Sequence, residues 1–254
     1  MFIIKDSMLN SLLKKESLIY GLGHVLTRLV TFLLLPFFTN IFSPSDYGVI
    51  SLIYIVVGFF TVVIHLGLDA ALLKYYKQSS ASNRVKFVTN IYLPLLIVNI
   101  LFFGFCFLLK DSLSLYLLGT QNSLLFSLVL LILFFDVLWA MPMVVLRSDN
   151  KPFHFIAFNL INVTSNLFFI YLFVIIYDLS VLGVVLGGVA SSGLLFIITA
   201  YFILTNLSIK ALDYSIFKKA LNFGFPLIFA GIFSMIIELS DRYIIKYLLD
   251  IERE

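Results

Sequence analysis

Seven times along its 254 residues the sequence turns predominantly apolar for twenty residues or more, at 18–42, 47–73, 87–109, 124–146, 153–177, 179–205 and 223–249. An α-helix rises 1.5 Å per residue, so about 20 such residues cross the ~30 Å hydrocarbon core of a bilayer. Lipid offers the backbone no hydrogen-bond partners, which leaves helices or closed barrels as spanning structures. Barrel strands would alternate over about ten residues, and these runs do not. With 61% hydrophobic and only 12% charged residues, and a mean hydropathy of +1.09, the chain carries more apolar surface than a soluble fold could bury. The sequence therefore predicts an all-α, polytopic transmembrane bundle of about seven spans. The first run is too long for a signal-peptide core and is expected to be retained.

Orientation follows from Lys and Arg. One side receives Lys5, Lys14 and Lys15, then Lys74, Lys77, Arg84 and Lys86, then Arg147 and Lys151, then Lys210, Lys218 and Lys219; the opposite connections hold only Lys110. Twelve against one places the N-terminus in the cytoplasm. The basic residues form short clusters between spans, not a stripe that could follow nucleic acid, so no nucleic-acid partner is expected. The lone cysteine, Cys106, lies within an apolar run and can form no intrachain disulfide.

Residues 2–13 and 208–221 have opposed apolar and charged faces and fit amphipathic helices on the cytoplasmic surface as well as solvated linkers. Lys14-Lys15 before Tyr20-Gly21 is echoed by Lys218-Lys219 before Phe223-Gly224. Six spans separate the copies, giving both the same orientation, as in transporters of two parallel halves. The expected organisation is a six-span lobe at 1–205, a cytoplasmic linker at 206–222, and at 223–254 the first helix of an incomplete second lobe. The chain thus reads as truncated relative to a two-lobe protein.

A charge at the bilayer centre costs about 2.5–3.5 kcal/mol on insertion scales and calls for a partner, water or a function. Arg28 lies roughly 15 Å into the first span. Tyr20, His24, Thr27, Arg28 and Thr31 recur at helical spacing, a polar stripe that fits a water-filled cavity, with a structural ion pair as the alternative. The last span carries Ser234, Glu238, Asp241 and Arg242, in which Glu238 and Arg242 are spaced to neutralise each other. Asp136 sits mid-span. Protonation is the cheapest way to keep a lone carboxylate in lipid, so Asp136 and Glu238 are candidates for coupling to H⁺ or Na⁺, and Asp136 is also a partner for Arg28. Asn159, Asn162, Ser165 and Asn166 share a face that could bond sugar hydroxyls or serve as interhelical glue. Gly183, Gly187 and Ser191 form a small-residue packing face. Asp69, Lys74 and Arg147 lie near the cytoplasmic ends as gate candidates, with Asp69–Lys74 pairing the simplest reading. Pro36, Pro94 and Pro142 are expected to kink their helices. No metal-ligand cluster, phosphate-cradling glycine loop or nucleophile elbow is present, so no enzyme and no resident cofactor are expected.

Several short motifs resemble bacterial polysaccharide-biosynthesis flippases of the multidrug/oligosaccharidyl-lipid/polysaccharide exporter superfamily. They are Tyr20-Gly21 through Leu35-Pro36, Ser43-Pro44-Ser45-Asp46-Tyr47-Gly48, Leu66-Gly67-Leu68-Asp69 through Lys74-Tyr75-Tyr76, Leu146-Arg147, Phe223-Gly224-Phe225-Pro226 and Ser240-Asp241-Arg242-Tyr243. The resemblance implies two six-helix lobes around a central cavity, alternating access, and a location in the bacterial inner membrane. It also implies transfer of a polyprenyl-diphosphate-linked oligosaccharide of the O-antigen, lipopolysaccharide or capsule type from the cytoplasmic to the outer leaflet. Arg28 and Arg242 would meet the diphosphate, since a guanidinium offers paired hydrogen bonds. The implied partners are the lipid-linked oligosaccharide, membrane lipids and other polysaccharide-assembly membrane proteins. Two alternatives stay open: a cation-coupled multidrug exporter of the same superfamily, which would lean on Asp136 and Glu238, and a membrane-embedded glycosyl or polyprenyl transferase, for which no interfacial carboxylate pair is found.

Overall fold

A computed structural model describes Pro36 and residues 38–251, without the side chains of 81–82 and 238–251. Helices α1 (Pro44–His65) and α2 (Leu68–Gln78) are followed by α3 (Ala81–Leu108), short α4 (Lys110–Leu118) and α5 (Ser123–Ser148). Next come α6 (Pro152–Ile170), with a π-helical continuation Tyr171–Ile176, then α7 (Ser180–Leu204), a 3₁₀ turn Ile209–Ala211, and α8 (Tyr214–Ile251). Six helices among the described residues are long and apolar enough to cross a bilayer. Leu101, Leu108 and Ile197 are 67%, 83% and 69% exposed, an apolar outer surface suited to lipid. The protein is a multi-pass membrane protein. The expected first span, 18–42, lies almost wholly outside the described residues.

Local sequence explains where the helices begin and stop. Ser43 caps α1: its hydroxyl accepts from the Asp46 amide at 3.1 Å and donates to the Asp46 carboxylate at 2.8 Å, with Pro44 at the first helical position. The Asn122 side chain accepts from the Leu125 amide at 2.9 Å to start α5. Asp178 and Ser180, both at positive φ, make the tight break between α6 and α7.

Two expectations are corrected. The second span ends at His65 and does not run on to residue 73. Leu66 and Gly67 both take left-handed backbone, at φ 52° and 66°, and the chain restarts as the separate helix α2. No separate surface helix covers 208–221: only the 3₁₀ turn is distinct, and from Tyr214 onward the chain is already α8. The connection around Lys110 also contains the short helix α4, on which the sequence made no prediction.

Packing is tight at the basic end. Leu68, Ala71, Leu72, Ile91, Leu95, Val137, Leu138 and Ala220 form one core joining α2, α3, α5 and α8. A second core around Phe126, Val129 and the buried Cys106 joins α1, α3, α4, α5 and α7 toward the other end. Gly183 and Gly187 carry α7 onto the α6 continuation: a Cβ on Gly187 would come within 2.8 Å of the Ile170 side chain, and one on Gly183 within 3.0 Å of Phe173 backbone. This is the close packing expected of that small-residue face.

Candidate functional site

In the half of the bundle away from the basic connections, α1, α5, α6 and α7 part around a cavity of about 560 Å³. Tyr47, Ser51 and Tyr54 come from α1, Asp136 and Trp139 from α5, Asn162 and Asn166 from α6, and Gly188, Ser191 and Ser192 from α7, with Met235 of α8 at the margin. Asp136 lies roughly 20 Å along α5 from Ser123, near the depth of the midplane. The cavity therefore runs from the Lys110 side to about the centre of the span.

Helical spacing sets this wall. Asp136 and Trp139 are three residues apart on one face of α5, and the Trp139 indole N–H donates to Asp136 Oδ1 at 2.9 Å. The Ser192 hydroxyl from α7 also hydrogen-bonds to Asp136. Asn166 Nδ2 donates to Ser191 Oγ at 3.0 Å, and that hydroxyl donates to the Gly188 carbonyl at 3.0 Å. The chain of bonds ties α5, α6 and α7 together while the Asn162 and Asn166 side chains and the rings of Trp139 and Tyr54 line the space. Asp136 is the one ionisable carboxylate on the described wall. Such a wall can bond a hydroxyl-rich ligand through neutral donors and acceptors, stack it on aromatic rings, and hold one cation or proton.

Not every expected residue gathers here. Asn162 and Asn166 line the cavity, whereas Asn159 Nδ2 turns back to the Phe155 carbonyl at 2.8 Å and Ser165 donates to the Asn162 carbonyl at 3.0 Å. His24, Arg28 and Thr31 lie outside the described residues, as do the side chains of Glu238, Asp241 and Arg242. Ser234, on α8, is exposed and off the wall.

The three gate candidates do not meet. No ion pair joins Asp69 and Lys74: the five-residue spacing places them on different faces of α2. Asp69 sits in the helix's first turn, where its charge suits the dipole, and the Lys74 ammonium lies 3.8 Å from the Phe223 ring centroid. Arg147 is exposed in the last turn of α5. The ion pair found among the described residues is instead Arg84–Asp149 at 3.1 Å. The Tyr76 hydroxyl donates to Asp149 at 3.2 Å, and the Arg84 guanidinium lies 4.9 Å from the Tyr76 ring centroid. Burial first, and the Asp149 charge second, push the Tyr76 hydroxyl up to about 12.

Sequence reasoning also missed how 206–213 is held. Buried Thr89 accepts from the Ser208 amide at 3.0 Å. Buried Asn90 both donates to the Ala211 carbonyl at 2.8 Å and accepts from the Asp213 amide at 2.7 Å. Immediately beyond, the α1–α2 break crosses α8 at a pair of glycines, where a Cβ on Gly224 would come within 2.5 Å of the Gly67 carbonyl oxygen. The Asp136-x-x-Trp139 spacing was available to find part of the cavity. Thr89 and Asn90 in an otherwise apolar span carried no comparable signal.

A family model described as Polysaccharide biosynthesis protein matches residues 13–253. No curated protein matches the chain significantly. A solved structure of MATE in the straight conformation superposes with a TM-score of 0.70 at 15% identity, over 86% of this chain and 52% of its own. A MOP superfamily transporter from Pyrococcus furiosus, described as having a binding pocket of reverse polarity, gives 0.67 at 14% identity, over 85% and 51%. An outward-facing multidrug resistance MATE family transporter of the MOP superfamily gives 0.65 at 13% identity, over 84% and 50%. The likeness is one of fold, and the chain spans about half the length of these structures.

Proposed function

Because the chain belongs to the polysaccharide biosynthesis protein family, with the fold of a MOP superfamily transporter lobe, we propose that it serves to move a polyprenyl-diphosphate-linked oligosaccharide across the bacterial inner membrane. The observation that supports this most is the lining of the cavity. Asn162 and Asn166 offer neutral amide groups at mid-membrane depth, and Trp139 and Tyr54 offer rings, the combination that suits sugar hydroxyls and pyranose faces. In this reading the glycan occupies the cavity while Arg28 and Arg242 meet the diphosphate, and no bond is made or broken. Other polysaccharide-assembly membrane proteins would deliver and receive the cargo.

One observation favours a second reading. Asp136, tied to Trp139 and Ser192, is a carboxylate in an otherwise uncharged described wall, which suits a cation. In the flippase reading it couples transport to H⁺ or Na⁺; in a multidrug exporter it would meet the cationic drug itself.

The two separate in cells that depend on this gene for surface polysaccharide. Asn162→Leu with Asn166→Leu is expected to lower surface polysaccharide about tenfold or more while the protein still reaches the membrane, and Arg28→Ala to do the same. Unchanged polysaccharide in both variants overturns the flippase reading. Drug susceptibility that responds to Asp136→Asn, with polysaccharide unaffected, establishes the exporter instead.

A further inference from the structure

We propose that the groove between α2 and α8 at the basic end of the bundle is a seat for the phosphate of an anionic phospholipid. The groove, about 530 Å³, is lined by Tyr75, Ser215, Lys218, Lys219, Asn222 and Phe223. Its floor is an edge-to-face pair, with the Tyr75 and Phe223 centroids 5.7 Å apart. The Lys74 ammonium lies 3.8 Å from the Phe223 centroid and 5.3 Å from that of Tyr75, and the Lys219 ammonium 4.7 Å from that of Tyr75. Two ammonium groups therefore converge on one aromatic pair, with Lys218 on the same wall.

Like charges so gathered repel, and ring faces offset only part of that. Among the described residues none of the three lysines forms an ion pair. The nearby carboxylates are engaged or turned elsewhere. Asp213 accepts from the Ser215 amide at 2.9 Å and its hydroxyl at 2.6 Å, and its neighbouring cation is Lys86 of α3; Asp69 lies on another face of α2. An anion placed among the lysines completes the cluster, with the Asn222 amide as a further donor.

The surroundings choose the source of that anion. Ile209, Leu212, Tyr214 and Phe225, in the segment that carries the α8 wall of the groove, are 77%, 53%, 75% and 51% exposed. A free phosphate leaves them in water, whereas a phospholipid brings acyl chains to cover them and a headgroup at the depth of the ammonium groups. The positive-inside count puts this end at the cytoplasmic leaflet, where anionic lipid binds clustered lysines between spans. The groove also adjoins the Gly67–Gly224 crossing, so a bound headgroup bridges α2 and α8 where those helices already touch.

The test is native mass spectrometry of the whole chain released from nanodiscs of mixed phosphatidylglycerol and phosphatidylcholine, and it does not depend on what the cavity transports. The unmodified chain should retain phosphatidylglycerol about tenfold over phosphatidylcholine. The Lys74→Gln, Lys218→Gln, Lys219→Gln variant should lose that preference, and the charge-matched Lys86→Gln, Lys151→Gln, Lys210→Gln variant should keep it. Equal loss in both variants, or loss in neither, overturns the site. As a measurement that needs no variant, acetylation of Lys218 and Lys219 should be severalfold slower in phosphatidylglycerol nanodiscs than in phosphatidylcholine ones. Equal rates overturn the proposal. Protection by inorganic phosphate in phosphatidylcholine nanodiscs that matches protection by the lipid overturns the assignment to a phospholipid.

Discussion

In the half of the bundle that holds the cavity, α5 and α6 pack closely on α7 at Gly183, Gly187 and Gly188, and the polar contacts of Trp139 and Ser192 to Asp136 and of Asn166 to Ser191 edge the space between that wall and α1. In the basic half, α1 and α5 close with α2, α3 and α8 through a glycine crossing, a buried amide clamp and an ion pair shared with a tyrosine. The same helices thus serve two ends. Where backbones touch and buried amides are satisfied, nothing can move cheaply; at the edge of the cavity, a ligand can replace a side-chain partner at little cost. The lobe is braced at its basic end and receptive from the opposite end to its middle.

The largest expected effect lies at the brace. Gly67→Ala adds a Cβ at φ 66° against the Gly224 backbone and should cost about 3 kcal/mol or more, read as a lower thermal midpoint and less monodisperse protein. Gly48→Ala in α1, where a Cβ meets nothing within 4 Å among the described residues, should be neutral or stabilise by about 0.5 kcal/mol. Equal effects at the two glycines would remove the glycine crossing from the brace.

Next comes Asn90→Leu, which strips partners from the Ala211 carbonyl and the Asp213 amide and should cost about 2–3 kcal/mol, with faster hydrogen exchange at Asp213. Asp149→Asn should cost only about 1 kcal/mol, because Arg84 is 39% exposed and solvent screens the pair. Its signature is in titration. Tyr76 is raised in the folded protein to about 12, so the stability it contributes is full below the unfolded value near 10 and is lost as pH rises through 12. Without the Asp149 charge that window narrows from above, which NMR of ¹³C-labelled tyrosine can follow. The smallest effect on stability belongs to the cavity: Asp136→Asn, which keeps shape and an acceptor for Trp139, should shift the thermal midpoint by less than about 1 kcal/mol equivalent while altering ion dependence of transport.

Much of this division was legible in the sequence. Long apolar runs and the asymmetry of Lys and Arg mark the spans and their direction, and Asp136, Asn162 and Asn166 stand out because polar groups at that depth are costly. What escaped was whatever depends on two helices meeting. Gly67 reads as one small residue in an apolar run until Gly224 is laid against it. Asn90 reads as an isolated polar residue until the 206–213 segment passes beside it. The Asp69–Lys74 pairing, attractive on paper, ignores that five residues of helix separate two faces, and Lys74 finds aromatic rings instead.

Water should reach Asn162, Asn166 and Ser51, all half-buried on the cavity wall, from the side away from the basic connections. With Cys106 replaced by serine, single cysteines at these three positions, and at Ala71 and Leu95 in the braced half, can be treated with a membrane-impermeant maleimide from that side. The account predicts labelling at the three cavity positions within about tenfold of an exposed-loop control, and none at Ala71 or Leu95, both fully buried. A sealed set of cavity positions, labelled no faster than Ala71 and Leu95, would contradict it.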